Sequence, residues 1–307
     1  MPDYPRTVTV VEVGPRDGLQ NEAVHLSTAE KIAFVDRLTG AGLPVIEVGA
    51  FVSPSRIPQM AETAGVFTGI SRRPGTRYTA LVPNVTGLNR AREAGVTEIA
   101  IFAAASDTFS RRNINQSIDE SFVTYKAVCD EALAARMRIR AYLSTCFGCP
   151  YEGDVPPLRV TDLARRLLDL GVFEVSVSDT IGVAHPGQVT KVLEILLARV
   201  DRARLALHFH DTRGTALANV LTALGIGVST FDASAGGLGG CPYAPGATGN
   251  LATEDLIYML DGLGIETGVS LERLLDASGY VADRTGRALP SRVAQATRAT
   301  RKPGVGL

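Results

Sequence analysis

Eight short β-branched runs, each followed by a longer stretch with helical periodicity, recur along the chain and leave few architectures open. The runs lie at residues 7–13, 45–49, 78–82, 98–102, 139–144, 173–178, 204–209 and 228–233. Helices are expected over 28–40, 84–94, 117–135, 159–170, 186–200, 213–225 and 253–263, with a less regular one after Pro54. Strand–helix alternation of this kind builds parallel sheets, because parallel neighbours need a crossover that a helix usually supplies. Gly40, Gly95, Gly171 and Gly225 stand where a left-handed helix cap would end four of these helices.

Two parallel architectures compete. An open doubly wound sheet usually carries a G-x-G-x-x-G phosphate turn after its first strand, and here that turn reads Gly14-Pro-Arg-Asp-Gly-Leu-Gln20. Eight βα units favour the closed (β/α)8 TIM barrel, which needs about 250 residues of the 307 present. The expectation is therefore an α/β chain forming one catalytic domain over 1–307. Its barrel spans about 7–265, and additional C-terminal helices form an appendage at about 267–307.

The balance of 31 basic and 32 acidic residues argues against nucleic acid as a partner. No apolar run approaches the roughly 20 residues of a membrane span, and the first six residues lack a signal-peptide pattern. No membrane association and a cytoplasmic location are expected. The four cysteines, Cys129, Cys146, Cys149 and Cys241, form no disulfide framework in a chain of this length. Cys146-Phe-Gly-Cys149 lacks the second pair that a four-cysteine zinc site would need.

In a barrel, chemistry gathers at the C-terminal ends of the strands. The first run ends in Arg16-Asp17, the second carries Glu47, the sixth ends in Asp179-Thr180 and the seventh in His208-Phe-His210. Alternate residues of a strand face one side, so two imidazoles at His208 and His210 can converge on one ion, while Phe209 faces away. A bland reading of His-x-His is a hydrogen-bonded pair packed under a loop. Asp17 and Asn250 are the nearest further ligands by barrel topology. Two nitrogens with carboxylate and amide oxygens suit octahedral Mg2+ or Mn2+ better than structural zinc.

Arg16 beside Asp17 could stabilise a developing oxyanion, or it could be an ordinary surface pair. Glu47 lies inside an apolar run, where an unpaired carboxylate is costly; a site role and a salt bridge to Arg16 are both open, and they are compatible. The segment from Ala235 to Asn250 holds six glycines in sixteen residues and reads as a lid. Its Cys241 is either a proton-transfer group carried into the site or a lid residue with no such role. Asp179 and Thr180 are candidates to orient a histidine or the substrate.

The segment Val11-Glu-Val-Gly-Pro-Arg-Asp-Gly-Leu-Gln-Asn-Glu22 resembles the opening of the hydroxymethylglutaryl-CoA lyase family, within the DRE-TIM metallolyase superfamily. Further stretches resemble it in order: Phe51-Val-Ser-Pro54, Pro58-Gln-Met60, Asn113-Ile-Asn115, Gly148-Cys-Pro-Tyr-Glu-Gly153, Asp179-Thr-Ile-Gly182, Gly236-Gly-Leu-Gly-Gly-Cys-Pro-Tyr243 and Gly249-Asn-Leu-Ala-Thr-Glu-Asp255. The resemblance implies that Asp17, His208, His210 and Asn250 are metal ligands. It makes Arg16, Glu47 and Cys241 the catalytic residues, with Gln20, Asp179 and Thr180 in supporting or substrate-binding positions.

It also implies retro-Claisen cleavage of 3-hydroxy-3-methylglutaryl-CoA to acetyl-CoA and acetoacetate, an acyl-CoA substrate, a divalent Mg2+ or Mn2+, a part in leucine degradation, and a homo-oligomer such as a dimer. Phe209 and the Ala50 region depart from better-known members and keep open a lyase for a longer 3-hydroxy-3-alkylglutaryl-CoA. A related metal-dependent aldolase or Claisen-condensing barrel is the enzymatic rival, and a degenerate scaffold the non-enzymatic one. Arg111 and Arg112 are candidate CoA contacts.

Overall fold

A computed structural model describes residues 4–240 and 249–300. Strands β1 (Thr9–Glu12), β2 (Val45–Ala50), β3 (Arg77–Leu81), β4 (Glu98–Ala104), β5 (Arg138–Ser144), β6 (Glu174–Asp179), β7 (Leu205–Phe209) and β8 (Thr230–Ala233) close into one barrel in sequence order. All eight pairings are parallel, and β8 returns to β1 with Val10 opposite Phe231 and Glu12 opposite Ala233. The eight expected strands are all present, and the fold is the expected TIM barrel.

The surrounding helices are α1 (Thr28–Gly40), α2 (Thr63–Gly69), α3 (Val85–Glu93), α4 (Asp107–Ile114), α5 (Ile118–Ala134), α6 (Pro157–Asp169), α7 (Pro186–Leu197), α8 (Ala216–Gly225) and α9 (Thr253–Gly262). Two more, α10 (Leu271–Thr285) and α11 (Arg292–Thr300), follow the last barrel helix. Local sequence fixes several starts. Ser27 and Ser117 each form a capping box with the glutamate three residues on, which satisfies backbone N–H groups at the starts of α1 and α5.

Burial of the outward strand faces under the helices supplies most of the stability. On α1, Phe34, Val35 and Leu38 are fully buried at helical spacing. Each such side chain contributes about 1.5–3 kcal/mol by leaving water. Phe209 lies in this layer too, its ring 5.8 Å from Phe147, so it does face away from the site between the two histidines.

Two expectations need correction. Helix α4 has no counterpart among the expected helices, because its sequence Asp-Thr-Phe-Ser-Arg-Arg-Asn-Ile has little apolar periodicity. Its ends are set by polar groups instead. Ser106 Oγ accepts from Phe109 N at 3.0 Å, and Asn115 closes the helix with φ 57°, its N–H donating to Arg111 O.

The left-handed caps are at Gly95 and Gly171 as expected, but Gly40 and Gly225 remain helical. The turn continues for two residues, and Gly42 and Gly227 take the positive φ. There the following amides reach back to Leu38 O and Ala223 O.

Candidate active site

The strand ends β1, β2, β5, β7 and β8 meet around one group of polar side chains. After β1 the chain makes a tight turn at Gly14–Gly18 in which Asp17 N and Gly18 N both donate to Val13 O. This turn lifts Arg16 and Asp17 over the barrel mouth. It is braced from below by Glu12, whose Oε1 accepts from Gly14 N and Ala235 N at 2.8 Å and whose Oε2 accepts from Thr253 Oγ1 at 2.7 Å. Gly18 has no room for a side chain, since a Cβ there would lie 2.8 Å from Leu238 Cβ.

Arg16 is shared by two carboxylates. Its Nε donates to Glu47 Oε2 and its Nη1 to Asp17 Oδ1, each at 2.5 Å. Glu47 is fully buried on β2 and also accepts from Tyr142 Oη at 3.1 Å. Burial lifts the Glu47 carboxyl above its ordinary value, while the Arg16 charge works against that rise. The salt bridge expected as one reading of Glu47 is therefore present, and it lies in the mouth of the site, where Glu47 Oε1 has no hydrogen-bond partner among the described residues.

His208 and His210 project from the end of β7 with ring centroids 5.2 Å apart. His208 Nδ1 lies 3.3 Å from Asp232 Oδ2 on β8. Asp232 in turn accepts from Arg140 Nη2 at 2.6 Å and Ser176 Oγ at 2.8 Å, and Arg140 Nε donates to Glu174 Oε1 at 2.6 Å. A buried carboxylate with such partners stays ionised: Asp232 is held below the usual range, with Arg140 and His208 outweighing burial. It favours the tautomer with the proton on Nδ1, leaving Nε2 of His208 as an acceptor.

Asp17, His208 and His210 offer ligand atoms that lie within 4.8 Å of one another. Burial and the adjacent His208 lower His210 to about 3, so it is a neutral imidazole at ordinary pH. Against its burial, the Arg16 guanidinium holds Asp17 below the usual carboxylate range, so it is ionised. Asn250, bridged in antiparallel fashion to His210, donates from Nδ2 to Asp17 Oδ2 at 2.8 Å and to Leu238 O at 3.1 Å.

Two buried atoms of this group, His210 Nδ1 and Asn250 Oδ1, have no hydrogen-bond partner among the described residues. Orphaned buried acceptors are costly. An anionic oxygen, two imidazole rings and an amide oxygen are the donor set that a divalent cation would satisfy.

These residues border a cavity of about 530 Å³. Gln20 and Thr180 line it, and Gln20 Oε1 is buried without a partner among the described residues. Thr180 Oγ1 accepts from Thr145 N at 2.8 Å. Asp179 is turned to its own loop, where its carboxylate accepts from Val183 N and Ala184 N at 3.0 Å; burial raises it to about 6. The carboxylate against His208 is Asp232 instead. Cys241 lies outside the described residues.

Cys146 and Cys149 are buried and free, with Sγ atoms directed to Leu143 O and Ser106 Oγ. Arg111 pairs with Asp107 and Arg112 lies over Tyr151, and neither is in the cavity wall.

Asp232, Arg140 and Tyr142 escaped the reading of strand ends because they sit inside strands. The signal that singled out Glu47, a polar group within an apolar strand, applies equally to Arg140 in β5 and Asp232 in β8.

The HMGL-like family model matches residues 7–281. The chain is 53% identical over 289 residues to the Bacillus subtilis hydroxymethylglutaryl-CoA lyase YngG, covering 94% of this chain and 97% of that one. It is 51% identical over 294 residues to the 3-hydroxy-3-isohexenylglutaryl-CoA/hydroxy-methylglutaryl-CoA lyase of Pseudomonas aeruginosa, covering 96% and 98%. The crystal structure of hydroxymethylglutaryl-CoA lyase from Pseudomonas aeruginosa superposes with a TM-score of 0.95 at 51% identity, covering 97% of this chain and 99% of that one.

Proposed function

The chain belongs to the hydroxymethylglutaryl-CoA lyase family, and from that premise we infer that it is a metal-dependent carbon–carbon lyase cleaving 3-hydroxy-3-methylglutaryl-CoA to acetyl-CoA and acetoacetate. The observation that carries the assignment to this site is the convergence of Asp17, His208 and His210 beside Arg16 at the mouth of one cavity.

In this reading Asp17, His208, His210 and the Oδ1 of Asn250 hold the divalent ion, which we take to be Mg2+ or Mn2+. When bound, the ion would acidify the tertiary hydroxyl of the substrate and fix its orientation. The chemistry is then a retro-Claisen step. A base takes up the hydroxyl proton, the oxygen becomes the ketone of acetoacetate, and the electrons of the broken carbon–carbon bond pass to the thioester as an enolate.

Arg16 has N–H groups beyond those given to Glu47 and Asp17, and it stabilises the enolate oxygen. Glu47 and Tyr142 fix the guanidinium: Tyr142 donates to the same carboxylate oxygen, and its ring lies 5.2 Å from Arg16 Cζ. Cys241 is the proposed donor of the proton that converts the enolate to acetyl-CoA. Gln20 and Thr180 contact substrate from the cavity wall, and Asp179 shapes the loop that carries Thr180.

A second reading, turnover of a longer 3-hydroxy-3-alkylglutaryl-CoA, is favoured by one observation: Leu81, Pro83, Phe102, Phe109 and Ile114 form an apolar part of the cavity wall. The Pseudomonas relative carries both substrates in its name. Cleavage by purified protein of the methyl and isohexenyl thioesters, with the released acetyl-CoA and ketoacid identified directly, tests both readings. No release from either would overturn them.

We further propose a part in leucine degradation, a cytoplasmic location and a homodimer. Free Cys129, Cys146 and Cys149 support a reducing compartment. The chain is read as one domain, because one continuous main hydrophobic core runs from Val8 in the barrel to Leu289 beyond α10.

A further inference from the structure

We propose that the opposite face of the barrel carries a binding site for a small anion with two or more phosphate groups. Arg77, Glu98 and Arg138 are the first residues of β3, β4 and β5, so they lie at the N-terminal ends of the strands, away from the catalytic mouth. With Arg72, Arg73 and Arg136 they line a cavity of about 390 Å³. Five guanidinium groups thus face one carboxylate, in a chain whose overall charge is -1.

The existing contacts leave this charge largely uncompensated. Glu98 is buried, accepts from Arg77 Nη1 at 2.9 Å and forms an ion pair with Arg138, whose Nη1 lies 3.2 Å from Oε2. Both guanidiniums also lie over the Phe173 ring, at 5.7 and 4.2 Å, and are held in place by it. Arg72 donates to two neutral carbonyls, Gly95 O and Phe67 O, which fix it without cancelling its charge. Among the described residues, the Arg73 and Arg136 side chains have no hydrogen-bond or ion-pair partner. Fixed guanidiniums around a concavity are the arrangement that recognises phosphate oxygens.

The backbone at Arg136 gives a second, independent reason. Arg136 ends α5 with φ 57°, and Met137 N reaches back to Ala132 O at 2.9 Å. The same closure ends α3, α8 and α9 at Gly95, Gly227 and Gly264, where glycine takes the left-handed conformation without a Cβ penalty. An arginine at this position strains the backbone and adds a fifth positive charge to a crowded site, so local stability does not explain it. A polyanion spanning the guanidiniums does. Phe173 is already covered by Arg77 and Arg138, so recognition rests on the phosphate chain and not on a stacked base.

Inorganic pyrophosphate is the probe, titrated by calorimetry into the full-length protein at physiological salt and compared with the Arg73→Ser/Arg136→Gly double variant. The glycine removes one charge while relieving the strained cap, so the variant keeps its fold, and its turnover without pyrophosphate should equal that of the parent. One saturable site in the parent, weakened about tenfold or more in the variant, with a pyrophosphate-dependent rise in Tm confined to the parent, is the expected result. No saturable binding, or equal binding by both proteins, would overturn the proposal.

Discussion

Asp232 Oδ2 lies 3.3 Å from His208 Nδ1, at the end of a buried chain that runs from Glu174 through Arg140. The pair joins two neighbouring strands, since Asp232 stands opposite His208 in the β7–β8 register. One carboxylate therefore sets the tautomer of a candidate metal ligand, and the barrel's interior polar ladder sets that carboxylate.

Asp232→Asn should accordingly weaken divalent-metal affinity by about 10–100-fold, because partners of this kind orient and strengthen ligating imidazoles. Metal titration followed by intrinsic fluorescence or calorimetry reads this directly. Circular dichroism should remain that of the parent. Unchanged metal affinity would remove Asp232 from the account.

Arg16→Gln should reduce kcat by about 10²–10³ with a much smaller change in KM, as for other groups that meet charge mainly in the transition state. It also leaves Glu47 buried beside Tyr142 without its cation, which costs about 3–5 kcal/mol in comparable buried pairs. Steady-state kinetics and urea denaturation separate the two effects. A rise in KM alone would show that Arg16 only binds substrate.

Substrate choice should respond to the apolar wall. Phe102→Ala enlarges the cavity beside Leu81 and Phe109, so the ratio of kcat/KM for an isohexenyl over a methyl substituent should rise by roughly 10-fold or more, given about 0.8 kcal/mol per buried methylene. Competition between the two thioesters in one reaction measures that ratio. No change would mean the substituent points elsewhere.

The two buried acids beneath the site predict a pH dependence. Glu12 and Glu254 are fully buried and lack a cationic side chain among the described residues, and burial raises them to about 7 and about 8. A carboxyl with a raised folded-state pKa binds its proton more tightly than in the unfolded chain. Its stabilising contribution is present below about pH 4.5 and is lost as pH rises through 7 and 8. Stability should therefore fall between pH 5 and pH 8.5 by up to about 1.4 kcal/mol per pH unit for each group. Glu254→Gln should flatten this slope in urea denaturation, and an unaltered slope would contradict the assignment.

The parts of the molecule visible in the sequence are those governed by short-range pattern. Strand periodicity located all eight barrel strands, and the His208-x-His210 spacing, Asp17 and Asn250 meet as topology required. What stayed hidden depends on geometry across the barrel. Arg140 and Asp232 are 92 residues apart, and only closure of β5 and β8 around one interior brings them to hydrogen-bonding distance. Helix α4 was hidden for a different reason: capping by Ser106 and the left-handed turn at Asn115, and not an apolar stripe, define it.

The most direct test is turnover of 3-hydroxy-3-methylglutaryl-CoA by the parent and by Asp17→Asn and His210→Ala variants, in EDTA and then with Mg2+ or Mn2+ restored. The account predicts acetyl-CoA and acetoacetate from the parent only when metal is present, with both variants losing turnover and metal binding together. Cleavage that persists in EDTA, or in a variant that binds no metal, would contradict it.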